Sequence, residues 1–376
     1  MDAPIIPAPA ITTRSDFANP LTIDADSNPQ SSVGACANYT VLMATQAQQQ
    51  PPPSVVLNQM VTAPWLTQCI HVAAELGIAD LVKDGPRSVE DLASATSTDA
   101  SALHRVMRAL ASAGIFRETD AGFVQTPISE CLVTAPGSMR AWAAMGGAPW
   151  CWEMRGDLLN TVRTGQDHIS RVQGMSTFEY LASMPAACEQ FNQAMTGFSK
   201  AEIGAVLEAY DFSGIRTLAD IGGGHGSLLS AVLTKFPAMH GILFDLPDVV
   251  KGADFGNAAS RCRVLSGSFF ESIPAGADAC MMKHIIHDWD DAKALTILRN
   301  THRALPSGGK LLVLDFVIGA PNEPDPAKFL DIEMLLVGGR ERTDPEFRAL
   351  YDHAGFELTR IVRTHAPICI IEGVKP

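Results

Sequence analysis

From Thr217 onward, short alternating runs take turns with segments of helical period, and this constrains the fold more than any other feature of the chain. Thr217–Ile221, 241–244, 263–265, 277–282 and 310–317 read as strands, whereas Ser227–Lys235, Asp291–Ala304 and Asp344–Ala354 read as helices. Strands separated by helices form a parallel sheet covered on both faces. The end of the chain departs from that rule. Segments 358–362 and 368–371 are both strand-like, and the stretch between them is too short for a parallel crossover, so the last strand must run antiparallel. An α/β, doubly wound sheet finished by an antiparallel hairpin is therefore expected.

The earlier half of the chain reads differently. Residues 1–54 are rich in Pro, Ala, Ser, Thr and Gln and end in Gln48-Gln49-Gln50-Pro51-Pro52-Pro53, too polar to offset ordering entropy, so a disordered tail is expected there. From 55 to 81 the apolar positions fall near helical spacing despite Pro64. Ser88-Val89-Glu90-Asp91 opens a helix in the manner of a capping box, 102–113 forms another, and Gly114 closes it. Two short alternating runs, 115–117 and 122–124, follow around a turn at Asp120-Ala121. This is the outline of a winged helix. Residues 137–208 continue helical and carry Trp142, Trp150, Trp152, Phe178, Tyr180, Phe191 and Phe198, either core or the walls of an apolar pocket. The division expected is a tail (1–54), a mostly α-helical, winged-helix-like dimerisation and substrate-wall domain (55–208) and an α/β domain (209–376).

A formal net charge of −13, with no run of Lys or Arg, argues against nucleic acid and anionic membrane as partners, so the winged outline suits protein contact instead. The N-terminus lacks the basic and apolar stretches of a signal peptide, and no apolar run is long enough to cross a bilayer; a cytoplasmic protein is expected. The eight cysteines are scattered without metal-finger spacing and read as buried thiols of a reduced compartment. Asn38-Tyr39-Thr40 matches a glycosylation sequon by chance.

The chemistry-bearing signal is Asp220-Ile221-Gly222-Gly223-Gly224-His225-Gly226, where the first strand meets a helix. Glycines there let the backbone turn tightly and approach a ligand. No Gly-Lys-Ser/Thr follows, and Ser227 stands where a dinucleotide fingerprint has its third glycine. Asp220 precedes the turn and Asp245 ends the next strand, where a carboxylate can accept ribose hydroxyls. A pyrophosphate would be repelled by two acids, whereas adenosine, ammonium and sulfonium groups would be favoured. The turn suits S-adenosylmethionine.

Together with Asp220 to Ser227, the segments Leu243-Phe244-Asp245-Leu246-Pro247, Gly267-Ser268-Phe269-Phe270, Met282-Lys283-His284-Ile285-Ile286-His287-Asp288-Trp289 and Gly338-Gly339-Arg340-Glu341-Arg342-Thr343 resemble, in order, the motifs of the class I small-molecule O-methyltransferases. That family includes the plant caffeic-acid type, and the chain looks closest to the bacterial hydroxyneurosporene-type branch. The resemblance runs from about Pro64 to Val374 and implies a Rossmann-like methyltransferase domain, a homodimer and transfer of a methyl group to a hydroxyl of a small, largely apolar acceptor. It implies that Gly222 and Gly224 lie against the cofactor. Asp245 and Leu246 would hold ribose and adenine, Ser268 and Phe269 would border the adenine, and Lys283 would add a contact, with Trp289 nearby. Phe191, Met195, Phe198 and Met334 would line the acceptor pocket.

Methyl transfer is an in-line displacement at an already activated carbon, so the protein mainly aligns the acceptor and removes its proton. The resemblance gives that task to His287. A neutral imidazole of pKa about 6.5 can accept a proton near neutrality. Glu341 would be one orienting carboxylate and Asp315 the other, although aspartate is one methylene shorter than the glutamate usual there. Ser268 departs too, standing where an aspartate often meets the adenine amine. His284 and His287 stand three apart beside Asp288, yet a strand end followed by a turn is not expected to keep them on one face, so no metal site is predicted. Two rivals remain: a decarboxylase or hydroxylase on the same scaffold, and a regulator whose winged helix binds DNA while the α/β domain senses a metabolite.

Overall fold

The structure is a computed structural model and describes residues 51–135 and 137–376. The expected tail lies mostly outside the described residues; its end does not, because a helix already starts at Pro53 and runs to Glu75. Pro64 sits inside that helix. Proline leaves the carbonyl four residues back without its donor, here that of Met60, which is exposed and open to solvent. Residues 59–376 form one compact unit.

The winged outline is present. Helices Val89–Thr96 and Ala100–Ser112 start at Ser88 and Asp99, whose side chains accept from the amides of Asp91 and Ala102. At Ser88 only this half of the capping box forms. Strands β1 (Phe116–Thr119) and β2 (Gly122–Gln125) then pair antiparallel. Leu92, Leu103, Met107, Leu110, Phe116 and Phe123 bury together between them, each side chain stabilising by about 1.5–3 kcal/mol.

The main sheet contains β3 (Thr217–Ile221), β4 (His240–Asp245), β5 (Cys262–Ser266), β6 (Ala279–Lys283) and β7 (Lys310–Asp315). Segment 310–317, expected as one strand, breaks at Phe316; β8 (Val317–Ile318) leaves the sheet to pair with β9 (Arg342–Thr343). Strands β10 (Glu357–Arg363) and β11 (Cys369–Val374) close the chain. The spatial order is β10-β11-β7-β6-β3-β4-β5, parallel from β7 to β5, with β11 antiparallel to both neighbours as expected.

Alternation along each strand splits the core into two layers. Ala219, Ile221, Leu311, Val313 and Ile371 face the helices Asp291–Ala304 and Asp344–Ala354. Leu218, Leu312, Leu314 and Ile370 face Ser227–Lys235 and the long helix Pro185–Ala209. The order reverses between β3 and β6, so the crevice for a ligand opens where Ile221 and Lys283 end their strands.

Candidate active site

At that reversal Gly222 has φ +70, and a Cβ there would stand 2.5 Å from Ile285 Cδ1. Gly224 has φ +61, and its N–H donates to Asp245 Oδ2 at 2.8 Å. Asp245 Oδ1 accepts from the Leu246 amide at 2.6 Å. Each carboxylate oxygen keeps a lone pair for a further donor, so Asp245 can both fasten the turn and receive hydroxyls. Leu246 is exposed beside it. Asp220 is instead buried behind the turn, with Gly223 packed against its carboxyl. Burial, with the charge of Asp245, pushes its pKa up to about 7 against the pull of Lys283. Asp220 therefore lies behind the loop and not at its open face.

Ser268 and Phe269 follow β5, with the Ser268 hydroxyl accepting from the Phe270 amide at 3.3 Å. Trp289 stacks edge-on to Phe270 and Phe269, with ring centroids 4.8 and 6.2 Å away. Its indole N–H is buried with no partner among the described residues. A buried donor beside an aromatic cleft, a glycine cradle and an exposed Leu246 fit an adenosine-bearing cofactor.

His287 lies in the short turn Ile286–Asp288 after β6 and is buried. Its Nδ1–H donates to Glu341 Oε1 at 2.7 Å. Asp315 Oδ1 is 3.9 Å from the same nitrogen, an ion-pair distance and not a hydrogen bond. The shorter side chain thus falls short of a hydrogen bond, and among the described residues it is Glu341 that makes one to the ring. Asp288 Oδ1 stands 3.5 Å from Nε2. Burial pulls the imidazole towards neutrality, but Asp315, Glu341 and Asp288 outweigh it and raise its pKa to about 10. Two carboxylates brought in by the fold, Asp315 and Glu341, with Asp288 next in the chain, thus make His287 a stronger base than the ordinary value expected from sequence. Burial likewise lifts Asp288 to about 6 and raises Glu341.

A buried guanidinium holds this arrangement together. Arg342 reaches the carbonyls of Ile286 (3.1 Å) and Trp289 (3.0 Å) and the carboxylate of Asp291 (2.8 Å), tying the histidine turn to the Glu341 segment. Gly339 is required for the same closeness, since a Cβ there would fall 2.1 Å from the His287 carbonyl oxygen. The expectation that His284 and His287 point apart fails. Their rings stack at 5.0 Å and 21°, and with Asp315 they present ligand-type atoms within 4.8 Å of one another. Stacked rings hold their nitrogen lone pairs in separate planes, a poor arrangement for one ion.

Phe191 and Met195 join one apolar cluster with Trp142, Trp150, Cys151 and Met154. Phe198 stacks on Trp142 at 5.2 Å and lies 5.9 Å from the His284 ring. A second line, Phe191 to Phe178 to Trp289, with centroids 6.4 and 5.7 Å apart, leads from this cluster to the adenosine side. Met334 is half-buried on helix Pro326–Val337 and joins neither cluster. Lys283 does not stand open at the strand end: its ammonium meets Ser199 at 2.7 Å and Glu202 at 3.3 Å. Glu202, missed in the sequence, is nearly fully buried and also bonds His284. No local pattern distinguishes it from other helical glutamates.

A glycine turn at the switch point and an antiparallel last strand separate this chain from the dinucleotide-binding folds and put it among the S-adenosylmethionine-dependent methyltransferases. A family model for the O-methyltransferase domain matches residues 155–357, and one for the O-methyltransferase dimerisation domain matches residues 58–135. The chain belongs to the O-methyltransferase family. It is 43% identical to a phenazine O-methyltransferase of Lysobacter antibioticus over 86% of this chain and 96% of that protein. It is 39% identical to a mitomycin biosynthesis 6-O-methyltransferase of Streptomyces lavendulae over 84% and 93%. A solved methyltransferase of calicheamicin biosynthesis, in its SAH-bound form, superposes with a TM-score of 0.79 at 32% identity, covering 88% of this chain and 100% of that one. Among the described residues no helix is long and apolar enough to cross a membrane.

Proposed function

We propose that this enzyme methylates a hydroxyl of a small, largely apolar, aromatic, polyketide or carotenoid-like metabolite, with His287 as the group that takes the acceptor's proton. The observation that carries the reading is the bond of 2.7 Å from His287 to buried Glu341, with Asp315 beside it, at the switch-point crevice. S-adenosylmethionine supplies the methyl group, already activated by its sulfonium. Asp245, Leu246, Gly222, Gly224, Ser268, Phe269 and Lys283 would hold that cofactor, and Asp220 would favour its cationic end by field. Phe191, Met195, Phe198 and Met334 would wall the acceptor. Because the carboxylates raise His287 to about 10, its proton affinity is comparable to that of a phenol. Transfer of the acceptor's proton to the neutral ring of His287 then leaves an imidazolium beside an acceptor oxyanion, held together by charge.

The division at 54 and 208 is supported by the helix starting at Pro53 and by the end of the long helix at Ala209 before the sheet begins. The homodimer reading is supported by the dimerisation match and by exposed Met60, Val61 and Trp65. A cytoplasmic location and partners limited to small molecules and a second copy complete the proposal.

The test is labelled cofactor with a panel of phenols, hydroxylated polyketides and carotenoids, reading which product gains one CH₂. His287→Gln in the same panel is expected to lose about 10²–10⁴-fold in turnover for neutral acceptors and less for ionised ones. An equal loss for both would make His287 a positioning residue only.

A further inference from the structure

Trp150 carries a group that neither the fold nor the reaction as described uses. It stands near the start of the helix Pro149–Gly156 and packs against the apolar cluster that holds Phe191 and Met195. Its indole nitrogen is buried, yet the N–H has no hydrogen-bond partner among the described residues. An indole N–H can only donate, and a buried donor is ordinarily paired. Its neighbours in the cluster do not pair it: Trp142, Phe191, Cys151, Met154 and Met195 are aromatic or sulfur-bearing, and the hydroxyl of Tyr180 makes no bond to it. A bridging water would need several polar partners of its own, which these side chains do not offer.

We infer that Trp150 is a specificity-determining residue: its indole N–H donates to a neutral lone pair on the acceptor, a carbonyl oxygen or a ring nitrogen, away from the hydroxyl that is methylated. The inference rests on the reading of Phe191 and Met195 as acceptor wall given above. The neutrality follows from the cation on the same helix. Arg155 donates to the two oxygens of Glu333 at 3.0 and 3.1 Å and to the Gly146 carbonyl, so an anionic group beside Trp150 would not find that guanidinium open. Burying such an anion unpaired is costly, whereas a carbonyl or ring nitrogen brings a lone pair and no charge. The separation follows from a line of rings. Trp142, of the Trp150 cluster, stacks on Phe198 at 5.2 Å; Phe198 meets His284 at 5.9 Å, and that ring stacks on His287. A fused aromatic acceptor laid along this line brings its hydroxyl to the histidine end and its lone pair to the indole.

Fluorenone and fluorene test this without turnover, because they share one fused-ring frame, differ by a carbonyl in place of a methylene and have no hydroxyl to methylate. Calorimetry on the full-length protein saturated with the demethylated cofactor, S-adenosylhomocysteine, is expected to show fluorenone bound about tenfold tighter than fluorene, the scale of a hydrogen bond to a buried donor. Trp150→Phe keeps an aromatic ring without the N–H and should remove most of that preference. Trp150→His, close to Phe in size but with a ring N–H, should restore part of it, and thermal melting checks that both variants fold. The indole proton signal of Trp150, assigned by its loss in Trp150→Phe, should move to lower field with fluorenone and not with fluorene. Equal affinities in wild type, no binding of either compound, or a preference that survives in folded Trp150→Phe overturns the inference, and the wild-type affinities decide even where a variant fails to fold. If wild type methylates no acceptor in the hydroxyl panel, the reading of function fails instead, and the fluorenone preference still decides the role of Trp150.

Discussion

Replacing Glu341 by Gln keeps an oxygen for the His287 Nδ1–H but removes the charge. Both groups are buried, Glu341 to 1% exposure and His287 to 7%, so solvent does little to screen the change. A hydrogen bond to an ionised partner contributes about 1.5–3 kcal/mol and a neutral one about 0.5–1.5, a difference of roughly one pH unit in the proton affinity of His287. The reactive complex and the protonated free enzyme both contain the imidazolium, so the substitution weakens them alike. Well below the limb, kcat/KM should hardly change. Above it the free enzyme is neutral, only the reactive complex feels the loss, and the plateau should fall about tenfold while the limb moves down by about one unit. A pH profile of kcat/KM from 6.5 to 10.5, a window spanning the ordinary histidine and phenol pKa values of about 6.5 and 10, with a neutral phenolic acceptor reads all three. A uniform loss at every pH with an unmoved limb would refute the reasoning and leave Glu341 as a tether for the ring. A wild-type limb near the ordinary histidine value would refute the raised proton affinity itself.

Asp245→Ala should weaken S-adenosylmethionine binding by about 1.5–3 kcal/mol by calorimetry, the scale of a lost charge-assisted bond, and unchanged affinity in a folded variant would remove Asp245 from the cofactor site. Trp65→Glu puts a charge on a face where Trp65 is 72% exposed, and sedimentation should show a monomer where wild type is a dimer; a dimer that persists would move the interface elsewhere. Burial opposes ionisation of Glu372, yet Arg360, Tyr210 and Thr359 bring its pKa down to about 2. With the folded pKa below the unfolded one, that stability is present at neutral pH and lost as pH falls from about 4.5 towards 2. Glu372→Gln should therefore cost about 1–2 kcal/mol at pH 7, allowing for screening at half-exposed Arg360, and little at pH 2; an equal cost at both would deny the linkage.

The helices Ser227–Lys235, Asp291–Ala304 and Asp344–Ala354 were legible residue for residue, because periodicity and capping depend on near neighbours in the chain. The antiparallel last strand was legible for a geometric reason: a connection that short admits no other direction. The glycine turn, Asp245 and His287 could be picked out because motif spacing carries them, and the fold sets all three at the strand ends facing the switch point. What the sequence could not decide is how far side chains reach and what they meet. Whether Asp315 touches His287 depends on one methylene across β7 and the histidine turn, and the answer is 3.9 Å. Whether two histidines three apart face one another depends on a positive φ at His284 that no local rule requires. Glu202 arrives from 82 positions away to meet His284, and Arg342 from 56 positions away to hold the Ile286 carbonyl. The proton affinity of His287 follows from its burial and from the approach of Asp315 and Glu341 across the fold, because electrostatic energy depends on distance and burial, and only tertiary packing sets either.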